Sequence, residues 1–271
     1  MGKRQSRPWI VSDELWSLIE PLPPEPGPKL VAGRPRVPDR QALCGILFVL
    51  HTGIQWEYLP QELGFGSGMT CWRRLAEWNE AGVWDQLHLV LLRKLRSAKK
   101  LDWSRAVIDS PRAGGPPGPK SGPSPVDRAR PGSKHHVLVD GQGIPLAVSL
   151  TGGNRNDVTQ LLPLLDKVPA VSGVVGRPRR RPDMLLADRG YDHDKYRRLL
   201  WQRGIRPAIA ERGQPHGTGL GISRWVVERT ISWLHGFRRL RIRWERRDDI
   251  HEAFLGLATC LITHRHVQRL C

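Results

Sequence analysis

Apolar residues recur at helical spacing through the first hundred positions and then fall into short runs of strand length. Ser12 followed by Asp13 and Glu14 predicts a helix start, and LWSLIEPL carries an apolar face until Pro23 and Pro24 stop it. The stretch 21–38 is a Pro/Gly linker. Asp39 then caps RQALCGILFVLHT, which Gly53 closes. WEYLPQELG reads as a short helical piece. GSGMTCWRRLAEWNEAG reads as a helix with Ser67 or Thr70 as cap and Gly82 as stop. VWDQLHLVLLRKLRSAKK completes the set.

From about residue 103 strands and helices alternate. SRAVIDS predicts a strand, and a Pro/Gly/Ser-rich segment over 111–133 follows. KHHVLVD and IPLAVSLT form a hairpin around Asp140-Gly141-Gln142-Gly143. Asp157 caps VTQLLPLLDKV, and DMLLAD, DKYRRLLWQRG and IRPAIA read strand, helix, strand. SRWVVERTISWLHGF and DDIHEAFLGLATCLITHRHV are helical. A hairpin followed by β-α-β units gives an α/β fold with a mixed sheet and helices packed on it. The division expected is an all-α part over 1–100 and an α/β part over 101–271.

Charge sharpens this picture. The chain holds 43 Lys+Arg against 26 Asp+Glu, a formal charge of +17. Such a balance points to a polyanionic partner. No apolar run approaches the roughly 20 residues that span a bilayer, and the N-terminus lacks the apolar core of a secretion signal. A cytoplasmic, nucleoid-associated protein is expected. Cys44, Cys71, Cys260 and Cys271 form no C-x-x-C pair and suit a reducing compartment. Cys260, His264, His266 and Cys271 fit no standard zinc spacing and read as a helix end with solvated histidines.

Against so basic a background, three carboxylates stand out. Asp109 and Asp188 close apolar, strand-like runs, and Glu228 sits in a helix beside arginines. Rigid, solvent-facing carboxylates suit a hard cation such as Mg²⁺. Two metal ions sharing a carboxylate activate an oxygen nucleophile and stabilise a leaving oxygen at a phosphodiester. Asp109 would bridge, with Asp188 and Glu228 completing the shells. Arg224, one turn before Glu228, would neutralise phosphate or orient the glutamate. Each acid also has a plain structural reading. Asp109 can form a turn, Asp188-Arg189-Gly190 a turn with a surface salt bridge, and Glu228 can pair with Arg224. Asp192 is the chief spare ligand, while Asp140 and Asp157 are assigned to a hairpin and a cap. Asp194 is a further competitor.

Nucleic-acid contacts have several candidates. Two helices around a Gly-containing turn, the second carrying Trp72, Arg73, Arg74 and Trp78, look like a helix-turn-helix. A plain bundle with a solvated arginine pair is the other reading. RRLRIRWERR at 238–247 holds six arginines and is the densest basic run. Trp225, Trp233 and Trp244 suit either packing or stacking on bases. Of His135 and His136, one is expected to face the core and the other the surface.

These residues resemble those of bacterial insertion-sequence transposases of the DDE superfamily, in the insertion sequence five (IS-five) family. The matching runs are GRPRVPDRQALCGILFVLHTGIQWEYLP and CWRRLAEWNEAGVWDQLH. Further along come GPSPVDRARPGSKHHVLVDGQGIPLAVSLTGGNRNDVTQLLPLLD, LLADRGYD and RWVVERTISWLHGFRRLRIRWERR. The resemblance implies a ribonuclease-H-like mixed sheet flanked by helices, preceded by a helix-turn-helix-like domain. It implies cleavage and strand transfer at DNA element ends with Mg²⁺, for which Mn²⁺ substitutes, and Asp109, Asp188 and Glu228 as catalytic and metal-binding acids. Its DNA contacts fall on Arg73, Arg74, Lys134, Arg224, His235, Arg238, Arg239, Arg241 and Arg243. The partners implied are element ends and target DNA, bound by a homodimer or larger assembly, with no membrane.

The chain departs from the family pattern at Gly221, where a tyrosine is usual, and at His235, where a lysine is usual. Arg238 or Arg239 would take over that lysine's terminal phosphate. SPRAGGPPG after Asp109 is also shorter and richer in proline. These departures motivate a second reading, a decayed copy that only binds DNA. A third reading is a related nuclease acting on RNA or hybrid duplexes.

Overall fold

In the computed structural model, residues 7–27, 35–125, 127–213 and 220–271 are described, with the backbone alone for 220–223. The linker of 21–38 is therefore described only at its two ends. Gly221 falls where side-chain surroundings lie outside the described residues.

The N-terminal part is helical. Helix α1 (Asp13–Ile19) starts at Ser12, whose hydroxyl accepts from Leu15 N. Helix α2 (Asp39–Thr52) ends at Gly53, which takes φ 75° in the left-handed region. Ser67 caps α3 (Gly68–Glu80) by accepting from Thr70 N, and α4 (Val83–Ser97) follows at Gly82. Between α2 and α3 lie two single 3-10 turns, Trp56–Tyr58 and Gln61–Leu63. A helix-turn-helix needs two helices joined by a turn of three or four residues. The helix expected before α3 is not formed, because Pro60 and Gly64 cut WEYLPQELG into those turns.

Strand β1 (Ala106–Asp109) opens the sheet. Strands β2 (Arg112–Gly114) and β3 (Gly122–Pro123) arise inside the Pro/Gly/Ser-rich segment. The long hairpin is β4 (Pro131–Asp140) and β5 (Pro145–Gly152). Helix α5 (Leu161–Asp166), strand β6 (Met184–Ala187), helix α6 (Asp194–Gln202) and strand β7 (Arg206–Ile209) alternate after it. Helices α7 (Leu220–Gly236), α8 (Arg238–Arg241) and α9 (Asp248–Leu270) end the chain.

The five principal strands lie side by side as β5-β4-β1-β6-β7. β4 runs antiparallel to β1 and β5, whereas β1, β6 and β7 are mutually parallel. In chain order this is 3-2-1-4-5 with the second strand reversed, the expected ribonuclease-H-like mixed sheet. The β1–β2 run breaks for two residues, Ser110 and Pro111; the Pro111 carbonyl still accepts from His135 N at 2.9 Å, and pairing resumes at Arg112.

A contiguous apolar core joins the sheet to the N-terminal helices. Helix α9, with residues such as Phe254, Leu257 and Ala258 buried, packs against α3, α4 and β5. Asp140 serves the hairpin as expected, accepting from Gln142 N and Ile144 N, and from Asp102 N outside it. Asp157 is not the cap foreseen: Asn156 accepts from Val158 N, and Asp157 instead ion-pairs with Lys134 at 2.9 Å. His264 and His266 are buried on α9 rather than solvated. Among the described residues no helix is long and apolar enough to cross a membrane.

Candidate active site

Two parallel strands set the site. Ala106 pairs with Leu185 and Val107 with Leu186, an offset of 79 (185 − 106). The same offset links Asp109 and Asp188 (188 − 109 = 79), so the two acids leave adjacent strands at one level. Neighbouring strands lie about 4.8 Å apart, which accounts for carboxylates so distant in sequence facing one another.

Each aspartate is anchored by its own turn. Asp109 Oδ1 accepts from Ser110 N at 2.7 Å, and Asp188 Oδ1 accepts from Gly190 N at 2.8 Å. The second oxygen of each faces Arg224, whose Nη2 stands 3.5 Å from Asp109 Oδ2 and 4.0 Å from Asp188 Oδ2. Helix α7 delivers that arginine by burying Val226, Val227, Thr230 and Leu234. One turn on, exposed Glu228 lies within electrostatic reach of Asp109. Burial is the main cause that pushes the Asp109 carboxyl up. Ser110 N and Arg224 pull it down, and Asp188 and Glu228 push it up again.

Behind Asp109 runs a hydrogen-bonded chain whose role was not foreseen from sequence. Ser110 Oγ lies 2.6 Å from His136 Nδ1 and 2.7 Å from the Tyr191 hydroxyl. His136 Nε2 reaches Thr151 Oγ1 at 2.7 Å. Burial holds His136 down at about 4 and Tyr191 well above the usual phenol range, so both rings are neutral near pH 7. The only sequence signal was polar residues flanking the two aspartates, in IDS and ADRGY. His135 and His136 are both fully buried, so neither faces the surface as expected.

Several sequence-predicted contacts are engaged elsewhere. Arg74 is buried and ion-paired with Asp39 and Glu77. Arg239 is buried against Glu245 and the carbonyls of Gly53 and Ile54. Arg243 is fully buried, donating to Ser133 Oγ and to the carbonyls of Glu245 and Arg246. Gly115 permits this, because a Cβ there would stand 2.5 Å from the Arg243 carbonyl oxygen. The Lys134 charge is met by Asp157. His235 is half-buried, its ring 6.0 Å from that of His135. Each of these five side chains has an ion pair, hydrogen bond or ring contact within the fold. Arg73, Arg238 and Arg241 remain exposed. Asp192 is bound to Arg197 at 2.7 Å and to Arg212 N at 2.8 Å, so the spare ligand is occupied.

Asp109, Asp188 and Glu228 offer only hard oxygen donors, and Arg224 already shows that the two aspartates attract a cation. That donor set suits a divalent ion. Among the described residues, however, no three ligand-type side chains stand close enough to enclose one. The guanidinium holds the intervening space.

Comparison with known proteins finds two matching stretches. Residues 11–88 match the family model described as "Putative transposase of IS4/5 family", and residues 101–263 match "Transposase DDE domain". The chain belongs to the DDE transposase family. It is 59% identical over 165 residues to a protein named "Putative transposase for insertion sequence element IS402" from Burkholderia cepacia, covering 61% of this chain and 77% of that one. It is also 59% identical over 103 residues to "Insertion element IS402 uncharacterized 16.2 kDa protein" of the same organism, covering 37% of this chain and 70% of the other. A solved "Mos1 transposase paired-end complex with left transposon end" aligns over 84% of this chain and 82% of its own at 13% identity and TM-score 0.25, too loosely to carry any argument. The chain is thus a DNA transposase, a polynucleotidyl transferase whose DDE domain implies a divalent metal.

Proposed function

We propose that Asp109, Asp188 and Glu228 are the acids with which this transposase cuts its element's ends and joins them to target DNA. The carrying observation is the shared register of Asp109 and Asp188 at adjacent parallel strand ends, with Glu228 in reach on α7. The three would hold Mg²⁺, with Mn²⁺ as substitute, and the bound ion supplies Lewis-acid activation of an oxygen nucleophile. The protein's own groups then have separate tasks. Ser110, His136 and Tyr191 keep Asp109 in one orientation. Arg224, once displaced from the aspartates, is placed to meet phosphate charge.

One site serves both reactions, because each is an in-line attack of oxygen on a phosphodiester. Water frees a 3′-hydroxyl at the element end, and that hydroxyl attacks the target strand. The helical part over 1–100 is assigned to recognition of the terminal inverted repeats, through exposed groups such as Arg73, and the part over 101–271 to chemistry. Exposed Arg238 and Arg241 extend the DNA path. Holding two ends together calls for a dimer or larger assembly.

The test is Asp188→Asn assayed on labelled element ends with Mg²⁺. Loss of cleavage with end binding intact is the expected result. Cleavage at the wild-type rate would overturn the assignment.

A further inference from the structure

Helix α7 carries a second edge, distinct from the one that faces the aspartates. Trp225, Arg229 and Trp233 are spaced by four and so line up along the helix. The Arg229 guanidinium lies over both rings, 4.5 Å from the Trp225 centroid and 4.8 Å from that of Trp233. It also donates to the Gln142 carbonyl, which fixes it between them. Trp225 is nevertheless 51% exposed. Alongside, the last turns of α9 contribute exposed Arg265 and Arg269, and His266 meets Trp233 edge-on at 5.5 Å. Trp233, Arg265, His266 and Arg269 line a shallow pocket.

Among the described residues these cations form no salt bridge, and Arg229 feels the carboxylate of buried Asp140. Arg265 lies over Phe237, and Arg269 points to His266 Nδ1 at 3.3 Å. Among the described residues none of Arg229, Arg265 and Arg269 forms an ion pair with a carboxylate. Elsewhere in the fold arginines are commonly paired, as at Arg197, Arg203 and Arg247.

We propose that this edge is a second DNA contact, separate from the carboxylates, which holds an unpaired stretch of strand. A base stacks on the open face of Trp225, and phosphates lie on Arg265 and Arg269. The chemistry favours that occupant over others. A half-exposed indole backed by a guanidinium is a stacking platform that any base fits. It reaches only a base already out of a duplex. Unpaired guanidiniums bind phosphate in bidentate fashion. A second copy of the chain is a poor occupant, because a symmetric contact would bring two sets of unpaired arginines together on a protein of charge +17. Both edges belong to one helix, about 10–12 Å across. A strand leaving the carboxylates would therefore meet the tryptophan at once. The proposal takes from the reading above only that the ligand is DNA.

The experiment measures full-length protein in EDTA against a labelled 20-nucleotide single strand and the same sequence as duplex, across a salt series. Trp225→Ala is expected to weaken single-strand binding about 5- to 100-fold, the value of one stacked base, with its salt slope unchanged. Trp225→Phe should retain most of the affinity. The double variant Arg265→Gln/Arg269→Gln is expected to lower the slope of log K against log salt by about 1.4, or about 0.7 per phosphate contact. Thermal melts check that each variant is folded. Unchanged single-strand affinity and slope in both variants overturns the proposal. So does a shift from larger species to monomer in sedimentation with DNA binding unaltered, which would make the edge a contact between copies. Asp188→Asn should leave all of these measurements intact, so failure of the carboxylate assignment and failure of this one are read separately.

Discussion

Arg224 reaches back across 115 residues of chain to place its Nη2 3.5 Å from Asp109 Oδ2. The same atom is 4.0 Å from Asp188 Oδ2, so a single guanidinium compensates two carboxylates brought level by strand register. Both pairs are long and partly exposed, worth at most about 1 kcal/mol. Arg224→Gln should therefore lower the melting temperature in EDTA by no more than about 2–4 °C. It should also enlarge the rise in melting temperature on adding Mg²⁺, since the ion no longer competes with a resident cation. A thermal-shift titration reads both numbers. A Mg²⁺ response equal to or smaller than that of the wild type would sink the competition argument.

Acid should unfold the protein early. Besides His136 at the candidate site, burial is the first cause that holds four further histidines far below their ordinary value near 6.5. His51 is lowered to about 4, with Arg265 adding to the effect; His88 to about 4, opposed by the Pro145 carbonyl and Asp85; His266 to about 4, with Arg269 and Arg229 adding. His251 is lowered to about 3, with Arg243 and Arg239 adding, and its Nε2 lies 2.8 Å from that of His135. A depressed folded value means that the unfolded chain binds the proton first as pH falls. Stability is thus complete above 6.5 and declines from there toward 4. One unit below 6.5 each such histidine costs about 1.4 kcal/mol, and four together approach the lower end of the 5–15 kcal/mol typical of a fold. Asp140, pushed up to about 7 chiefly by burial, has the opposite sign and offsets part of the loss. Urea unfolding at pH 7.5, 6.5 and 5.5 should show the midpoint falling steeply over the last step. A flat profile would refute this accounting.

Much of this was legible in the chain. AVID and MLLAD announce strands that end in carboxylates, and the order of elements yields the mixed sheet directly. What sequence lacks is the partner across the fold. The 79-residue offset becomes a distance only once β1 and β6 are known to be parallel neighbours. Likewise, Ser110 finds Tyr191 across 81 residues. WEYLPQELG has helical composition, but Pro60 and Gly64 limit it to two single 3-10 turns, which sequence does not reveal. In the basic run at 238–247 sequence does not separate exposed Arg238 and Arg241 from buried Arg239 and Arg243, since an arginine's type does not say whether it is solvated. A clue was present: Glu245 is the one acid in that run, and a carboxylate among arginines is where a buried pair can form.

That pair makes the sharpest stability prediction. Arg239 is 3% exposed, with Nε donating to Glu245 Oε1 at 3.1 Å and Nη1 to the Ile54 carbonyl at 2.8 Å. Trp56 Nε1 donates to the same carboxylate oxygen at 3.2 Å, so Glu245 ties the segment after α8 to the turn after α2. Glu245→Ala strands a guanidinium among Trp56 and Phe254 with no counter-charge. Removing one partner of a buried pair costs about 3–5 kcal/mol, most of the margin of a marginal fold. Replacing both, as Arg239→Met with Glu245→Leu, should recover a large share of that loss, because desolvation is relieved together with attraction. Arg241→Ala, on an exposed neighbour, should stay within about 0.5 kcal/mol of wild type. Urea midpoints of the three proteins decide the matter. If Glu245→Ala is as mild as Arg241→Ala, Arg239 is not held as a buried ion.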